Sequence, residues 1–200
     1  VNADGLPDVI IGAPGCDWGD YPSCESFQGA YVVNGPVTAD VDLSTEADAK
    51  LEVDEYGYLC YGYAVLGVGD TNGDGYDDVV VGNGGVCFDS VTAPYSYSFL
   101  MLGPLRGDVD LLNAEATLGT PDASAGDLDD DGMDDLLAGA PRGDEVATDD
   151  GIVFVWHGPL SGMIDLSTAE DRLYGVGAGD YAGYSVDAVS DVDGDGETDF

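Results

Sequence analysis

The sequence contains very little positive charge. Its 200 residues include 4 lysines and arginines and a single histidine, against 41 aspartates and glutamates, which gives a formal net charge of −37. A surface of this kind repels phosphate groups and attracts cations. Nucleic acids and anionic membrane surfaces are therefore poor partners, and we expect no nucleic-acid binding.

The sequence also lacks long apolar runs, so no segment reaches the roughly 18 residues of a membrane-spanning helix and no membrane insertion is expected. Val, Leu, Ile and Phe still make up about a quarter of the chain, above the level below which a highly charged chain stays unfolded. The 31 glycines favour tight turns over long helices. We therefore expect a folded, mainly β chain. Because it begins at Val1 without a methionine, we interpret it as a piece of a longer protein.

Four cysteines are present, without a C-x-x-C pair or a nearby histidine that would complete a zinc site. Cys16 and Cys24 flank a short segment. Cys60 and Cys87 lie at nearly equal distances on either side of Asp74, the tip of a predicted hairpin, where antiparallel pairing would bring them together. We predict disulfides Cys16–Cys24 and Cys60–Cys87 in an oxidising compartment outside the cytoplasm. Four buried free thiols in a cytosolic protein are the alternative.

A unit of about sixty residues is repeated along the chain. The run DVIIGAP at 8–14 returns as DVVVGNG at 78–84 and as DLLAGAP at 135–141, and each copy is followed by an apolar run that ends in Gly-Pro. We treat 1–200 as a single domain. Its approximate repeats are 8–77, 78–134 and 135–198.

Each repeat predicts four short strands, because its segments are rich in β-branched and aromatic residues and are bounded by Gly, Pro and Asp. The first strand of the second unit is expected at 61–68, and 49–53 is an example of a polar closing strand. A single helical turn is predicted after each DLS or DLL run, with Ser44 and Ser167 as possible N-caps. The predicted fold is all-β, a propeller-type array of about three four-stranded blades that is incomplete or open.

Acidic turns lie between the first two strands of the units. Three of them fit the pattern D-x-[DN]-x-D-G-x-x-D, and the first lacks only position 1; they are loop 1 (1–8), loop 2 (70–78), loop 3 (127–135) and loop 4 (191–199). Side chains at positions 1, 3, 5 and 9 and the carbonyl at position 7 can converge on one point, and Gly at position 6 permits a left-handed kink. The predicted metal ligands are Asn2, Asp4, Leu6, Asp8, Asp70, Asn72, Asp74, Tyr76, Asp78, Asp127, Asp129, Asp131, Met133, Asp135, Asp191, Asp193, Asp195, Glu197 and Asp199.

A donor set made only of oxygens selects a hard cation. Ca²⁺ fits a flexible loop with several carboxylates better than Mg²⁺, which demands a stricter octahedron. Without the cation the carboxylates repel one another, so binding is expected to order the turns and stabilise the sheets. Solvated acidic turns are one alternative. A helix–loop–helix calcium site is disfavoured, because its Glu at position 12 is replaced by Val81 and Ala138.

With these loops, the chain resembles the FG-GAP repeats of integrin α-chain propellers. The Gly-Ala-Pro element stands at 12–14 and 139–141, and the aromatic-Gly element at Tyr61-Gly62 and, more loosely, at Gly183-Tyr184. The segment 120–126 departs from the pattern, being too short for a normal aromatic-Gly strand. The resemblance implies an extracellular or cell-surface recognition or adhesion module that binds Ca²⁺ at several sites and has a protein ligand or partner subunit.

Three repeats are fewer than the four to eight blades that usually close a propeller. The array is therefore either open or completed by neighbouring sequence or by self-association with another copy. The alternative function is a carbohydrate-binding or accessory segment of a secreted hydrolase, because repeats of this kind also accompany such enzymes.

Three weaker patterns have simpler interpretations. The Arg-Gly-Asp tripeptides at 106–108 and 142–144 lie in predicted loops and are attributed to chance in a Gly- and Asp-rich sequence. The alternating aromatics at 95–99 predict packing between blades rather than a sugar platform. His157 has no second histidine or nucleophile beside it, so a loop or packing role is favoured and no catalytic residue is predicted.

Overall fold

The computed structural model describes residues 1–15, 27–53, 61–83, 98–118, 122–161, 164, 166–189, 192 and 194. The strands in this part of the chain are β1 (Val9–Ala13), β2 (Gly29–Val33), β3 (Ala49–Glu52), β4 (Ala64–Gly69), β5 (Asp78–Gly82), β6 (Ser98–Met101), β7 (Gly107–Asp110), β8 (Ala116–Leu118), β9 (Asp122–Gly126), β10 (Asp135–Ala140), β11 (Ile152–Trp156) and β12 (Asp171–Tyr174). A helical turn, α1 (Leu43–Glu46), and two 3₁₀ turns, Leu111–Asn113 and Leu166–Thr168, lie between them. No helix among these residues is long and apolar enough to cross a membrane.

The strands form three four-stranded sheets. This confirms the predicted fold, an open all-β array of about three four-stranded blades. The second blade has the order β4-β5-β6-β8 and the third the order β9-β10-β11-β12, and all their strand pairs are antiparallel. The first blade has the order β1-β2-β3-β7. Its β7 comes from the second unit and pairs in parallel with β3, a connection that the repeat pattern does not predict. This pairing covers the polar outer edge of β3.

Apolar cores fill the spaces between neighbouring blades. One cluster joins Val79 and Val81 of β5 to Val32 and Leu51 of the first blade. The other joins Val80 of the same strand to residues of the third blade. Because successive side chains of a strand point to opposite faces, the continuous apolar run of β5 is buried on both sides. Each such valine contributes on the order of 1.5–3 kcal/mol by leaving water.

The short segment before loop 3 nevertheless forms a complete first strand. β9 (Asp122–Gly126) pairs with β10 through five residue pairs, so the third blade has its four strands. In the second blade, the strand predicted at 61–68 begins later, at Ala64. Tyr61 and Gly62 precede it, and Gly62 takes the left-handed conformation (φ +95°).

The glycines of the two family elements make close backbone contacts with each other. A Cβ on Gly12 would collide with the carbonyl oxygen of Gly62, and a Cβ on Gly139 would collide with that of Gly183. Gly183 also has a positive φ (+81°). The Gly-Ala-Pro and aromatic-Gly elements are therefore two halves of one close backbone contact, in which neither glycine can carry a side chain.

Aspartates cap two of the helical turns, so the prediction of Ser44 as an N-cap is wrong. Asp42 is the N-cap of α1 and accepts hydrogen bonds from the backbone N–H and the hydroxyl of Ser44, at 3.0 and 2.6 Å. Asp110 caps the following 3₁₀ turn in the same way. Ser167 lies within its turn rather than before it. Asp42 is the cap because it stands just before the helical turn, with extended backbone, where its carboxylate accepts a hydrogen bond from the Ser44 N–H.

Candidate metal centre

Loops 1, 2 and 3 share one pattern of side-chain-to-backbone hydrogen bonds. The N–H at position 5 donates to the side-chain oxygen at position 3, over 3.0, 2.9 and 3.2 Å respectively. The N–H at position 7 donates to the carboxylate at position 5, over 2.8, 2.9 and 2.8 Å. In loops 2 and 3 the N–H at position 6 also donates to the carboxylate at position 1, over 2.8 and 2.9 Å. Each loop thus folds around its own acidic side chains.

Two left-handed residues, rather than one, bend each of loops 1, 2 and 3. Gly at position 6 has φ of +82° in loop 1, +88° in loop 2 and +89° in loop 3, as predicted from its identity. Position 4 is left-handed as well, and it is occupied by Ala3, Gly73, Asp130 and Gly194. Since this position is not always glycine, sequence reasoning missed it. Two such residues turn the backbone N–H groups inward, towards the carboxylates.

The structure brings three of the five predicted ligands of loop 3 together. Carboxylate oxygens of Asp127, Asp129 and Asp131 all lie within 4.8 Å of one another. In loop 2, oxygens of Asp70 and Asn72 both lie within 3.0 Å of the Asp74 N–H. These are oxygen donors converging on one side of a loop, and they fit a hard divalent cation.

The other predicted ligands fall into three groups. Loop 1 holds Asn2 and Asp4 side by side, with Asn2 Nδ2 donating to Asp4 Oδ2 over 3.1 Å. Leu6, Tyr76 and Met133, proposed as carbonyl donors, occupy position 7 of their loops, where their N–H groups bind the carboxylate at position 5. The loop 4 residues Asp191, Asp193, Asp195, Glu197 and Asp199 lie outside the described residues.

The aspartate at position 9 closes each loop against the next strand. Asp78 is fully buried and accepts hydrogen bonds from the N–H and hydroxyl of Thr71, at 3.0 and 2.6 Å, and from the Gly103 N–H, at 2.9 Å. Asp135 binds the N–H groups of Leu128 and Gly158 in the same way, at 2.7 and 2.9 Å. The aspartate at position 9, a predicted ligand, therefore also holds the Gly-Pro element in place by accepting the N–H of its glycine.

Asp8 repeats this arrangement with Asn2 and Gly35, at 3.1 and 2.8 Å. Burial raises the pKa of Asp8, but hydrogen bonds from the N–H groups of Gly35 and Asn2 and from the Val1 nitrogen outweigh it and leave the pKa below its ordinary value. In the deeper Asp78, burial dominates and raises the pKa in spite of its hydrogen bonds.

His157 lies beside loop 3, which sequence reasoning did not predict. Its Nδ1 lies 3.2 Å from Asp135 Oδ2 and 3.7 Å from Asp129 Oδ2, and its Nε2 lies 3.4 Å from Asp171 Oδ2. Burial lowers the pKa of His157, but these carboxylates outweigh it, so the pKa is above its ordinary value. The signal was available: His157 directly precedes Gly158, whose N–H binds the loop at position 9.

Asp134 connects loop 3 to loop 2. Its Oδ2 accepts a hydrogen bond from the Asp70 N–H over 2.8 Å, and its own N–H donates to the Asp70 carbonyl over 3.0 Å. Burial, together with the charges of Asp77, Asp127 and Asp70, raises the pKa of Asp134. Two candidate sites are therefore joined by direct contacts.

The weaker sequence patterns have mixed outcomes. Phe99 is buried and packs against Tyr61 at 5.1 Å between ring centroids, as predicted for a packing residue, whereas 95–97 lies outside the described residues. The prediction of a loop at 106–108 is wrong, because Gly107 and Asp108 belong to β7. The tripeptide 142–144 lies in the turn after β10, as predicted. The four cysteines, and with them both predicted disulfides, lie outside the described residues.

The fold and the loops define a class of protein, an array of β-blades with an acidic loop between the first two strands of each blade. The family model described as "FG-GAP repeat" matches residues 61–87 and 120–156. Integrin alpha-7 of Rattus norvegicus is 30% identical over 149 residues, which cover 67% of this chain and 12% of the relative. Integrin alpha-7 of Mus musculus is likewise 30% identical over 149 residues, 67% of this chain and 11% of the relative. The chain contains FG-GAP repeats and is similar to integrin alpha-7 over about two thirds of its length, and the matched part is a small fraction of its relatives' length.

Proposed function

We propose that the chain is a calcium-binding recognition or adhesion module without catalytic activity, in which Ca²⁺ occupies the loops between the first two strands of the blades. The observation that carries the proposal is the convergence of Asp127, Asp129 and Asp131 within 4.8 Å. The repeated hydrogen bonds of loops 1 and 2 support equivalent sites there. The oxygen ligands would bind the cation, and the positive charge of the cation would hold the loop in its folded conformation.

Electrostatics give the cation a structural role. Two carboxylates about 4 Å apart repel each other by roughly 1 kcal/mol in water and roughly 4 kcal/mol near a protein surface. Loop 3 concentrates several such pairs in a chain of net charge −37. A divalent cation bound between the carboxylates adds attractions that outweigh this repulsion, so binding to the folded state stabilises it. An affinity on the order of 10⁻⁴–10⁻³ M would suit the calcium levels outside cells.

The partner is proposed from the relatives. Both are named integrin alpha-7, which supports a protein ligand or a partner subunit and a location outside the cell or on its surface. The predicted disulfides Cys16–Cys24 and Cys60–Cys87 would agree with that location. Self-association to complete a propeller stays a prediction that sedimentation of the calcium-loaded chain can test. A carbohydrate ligand would instead be detected on a glycan array.

Calorimetry and thermal unfolding test the calcium proposal. We expect Ca²⁺ to bind the chelator-treated chain and to raise its melting temperature. The double variant Asp127→Asn with Asp129→Asn should lose one site and part of that rise, because it removes two charged donors from loop 3. Asp40→Asn is the matched control, since Asp40 is exposed and outside the loops. Equal melting temperatures with Ca²⁺ and with chelator would refute the proposal.

A further inference from the structure

Two buried polar atoms at one position of the repeat form no aligned hydrogen bond. Among the residues that the structure describes, buried side-chain atoms of this kind are Asn34 Oδ1 and His157 Nδ1. Both residues directly precede the Gly-Pro element whose glycine N–H binds the aspartate at position 9 of the loop. The second blade has Leu102 at the same place. Buried polar atoms without a partner are rare and call for an explanation.

The surroundings of His157 match those of a metal-binding imidazole. Nδ1 lies 3.2 Å from Asp135 Oδ2 without forming an aligned hydrogen bond, and Asp129, Asp135 and His157 each offer one ligand atom within 4.8 Å of the others. Two ligands that each lie 2.0–2.2 Å from one ion are at most about 4.4 Å apart, and the separations of 3.2 and 3.7 Å between Nδ1 and the oxygens of Asp135 and Asp129 lie within that limit. The opposite nitrogen, Nε2, lies 3.4 Å from the Asp171 carboxylate. A carboxylate on the second nitrogen is the usual arrangement that orients a metal-binding histidine.

We propose that His157 adds an imidazole nitrogen to the cation site of loop 3, so that this loop prefers transition-type divalent cations such as Mn²⁺ more strongly, relative to Ca²⁺, than loops 1 and 2 do. Imidazole is a ligand of first-row transition metals, a series in which Mn²⁺ is the weakest binder, whereas Ca²⁺ takes oxygen ligands. At the equivalent position, Asn34 of the first blade would supply an oxygen ligand, and Leu102 of the second blade has no ligand atom. Asp171 acts as a positioning residue. The inference rests on the proposed cation binding by the loops.

Pulsed electron paramagnetic resonance of the Mn²⁺-loaded full chain, made without a histidine tag, tests this assignment directly. Because the sequence has a single histidine, imidazole nitrogen coupling to bound Mn²⁺ can come only from His157. Mn²⁺ is used because the thiolates of the four cysteines prefer softer metals and would therefore compete less for Mn²⁺. We expect the coupling in the unaltered chain, and no variant is needed to see it. Bound Mn²⁺ without nitrogen coupling, or no Mn²⁺ binding at millimolar concentration, would overturn the assignment.

Variants then measure the effect on selectivity. His157→Leu, which places the side chain of the second blade's Leu102 at this position, should weaken Mn²⁺ binding at one site by at least about 10-fold while Ca²⁺ binding elsewhere is unchanged. His157→Asn introduces the residue type that the first blade has at this position, Asn34. This variant should lose the nitrogen coupling but keep more Mn²⁺ affinity than His157→Leu. Asp171→Asn should weaken Mn²⁺ binding while the coupling remains. Unchanged Mn²⁺ affinity in His157→Leu would contradict the assignment.

Calorimetry with Ca²⁺ on the same samples separates the two proposals. Ca²⁺ binding without nitrogen coupling to Mn²⁺ would leave the proposed function standing and remove His157 from the site. Nitrogen coupling without Ca²⁺ binding would keep His157 as a ligand and refute the calcium function.

Discussion

The Asp134 carboxylate of loop 3 accepts a hydrogen bond from the backbone N–H of Asp70, the first residue of loop 2, over 2.8 Å. The Asp70 carbonyl in turn accepts the Asp134 N–H over 3.0 Å, and the Thr71 carbonyl accepts the Leu160 N–H over 2.8 Å. The start of one acidic loop is thus held by the end of the next. Because Asp70 is a predicted ligand, a change at Asp134 reaches the neighbouring site through the backbone.

Replacing Asp134 tests this connection between the loops. Asp134→Ala removes the acceptor of the Asp70 N–H and should lower the free energy of unfolding of the calcium-loaded chain by about 1–2 kcal/mol, as measured by chemical denaturation. Asp134→Asn keeps an oxygen acceptor and should cost less. Asp77→Ala is the matched control, because Asp77 occupies the same position of loop 2 but its side chain is 71% exposed. A loss in Asp77→Ala as large as that in Asp134→Ala would argue against the interpretation.

The response of stability to pH should reverse when Ca²⁺ is added. Burial raises the pKa values of Asp78 and Asp134 above the ordinary 3.8, so the folded state takes up protons more readily than the unfolded state. In the metal-free chain, stability should therefore increase as the pH falls from 7 towards 3.8. His157 acts in the same direction: its raised pKa gives stability that is present below pH 6.5 and is lost as the pH rises through the folded value. With Ca²⁺ bound, protons compete with the cation and acidification should destabilise the chain.

Melting curves between pH 7 and 4, with Ca²⁺ and with chelator, measure this reversal. In Asp134→Asn the gain of the metal-free chain at low pH should be smaller, since one group with a raised pKa is gone. The lowered pKa values of Asp8, Asp42 and Asp150 act in the opposite sense, but their contribution is lost mainly below 3.8. A metal-free chain that loses stability throughout this range would contradict the assigned directions.

Asp78 should be essential for folding of the second blade even without a cation. It is fully buried and satisfies the Thr71 N–H, the Thr71 hydroxyl and the Gly103 N–H. Asp78→Ala would leave these buried donors without an acceptor and should cost about 3 kcal/mol or more in chelator. Asp78→Asn retains one acceptor and should cost less. If Asp78→Ala were destabilising only when Ca²⁺ is present, the residue would be a ligand alone and not an anchor.

Much of the fold could be predicted because it follows from local patterns. The β-branched runs and the glycine at position 6 correctly predict the strands and the loop kinks. The parallel pairing of β7 with β3 could not be predicted, because it joins segments far apart in sequence. Asp42 displaced Ser44 as the N-cap because a carboxylate stood two residues earlier.

The limits at the site have a similar cause. The pattern of loop positions predicts the converging carboxylates of loop 3, but it treats position 9 only as a ligand. That Asp135 also binds Gly158 depends on the neighbouring strand, which brings His157 to the same carboxylate. Aligning the residues that precede the Gly-Pro elements would have revealed this histidine. The left-handed position 4 has no fixed residue type, so no pattern marks it.

The close contact between Gly139 and Gly183 predicts a strong and specific effect of one methyl group. Gly139→Ala would place its Cβ against the Gly183 carbonyl, which is backbone and cannot move aside cheaply. We expect a loss of about 1–3 kcal/mol in the free energy of unfolding. Gly67→Ala is the matched control, because Gly67 lies in a strand with nothing within 4 Å of an added Cβ. There the substitution should be neutral or slightly stabilising, since alanine restricts the unfolded chain. Equal effects of the two substitutions on chemical denaturation would mean that the Gly-Ala-Pro glycine is not held against the Gly183 backbone.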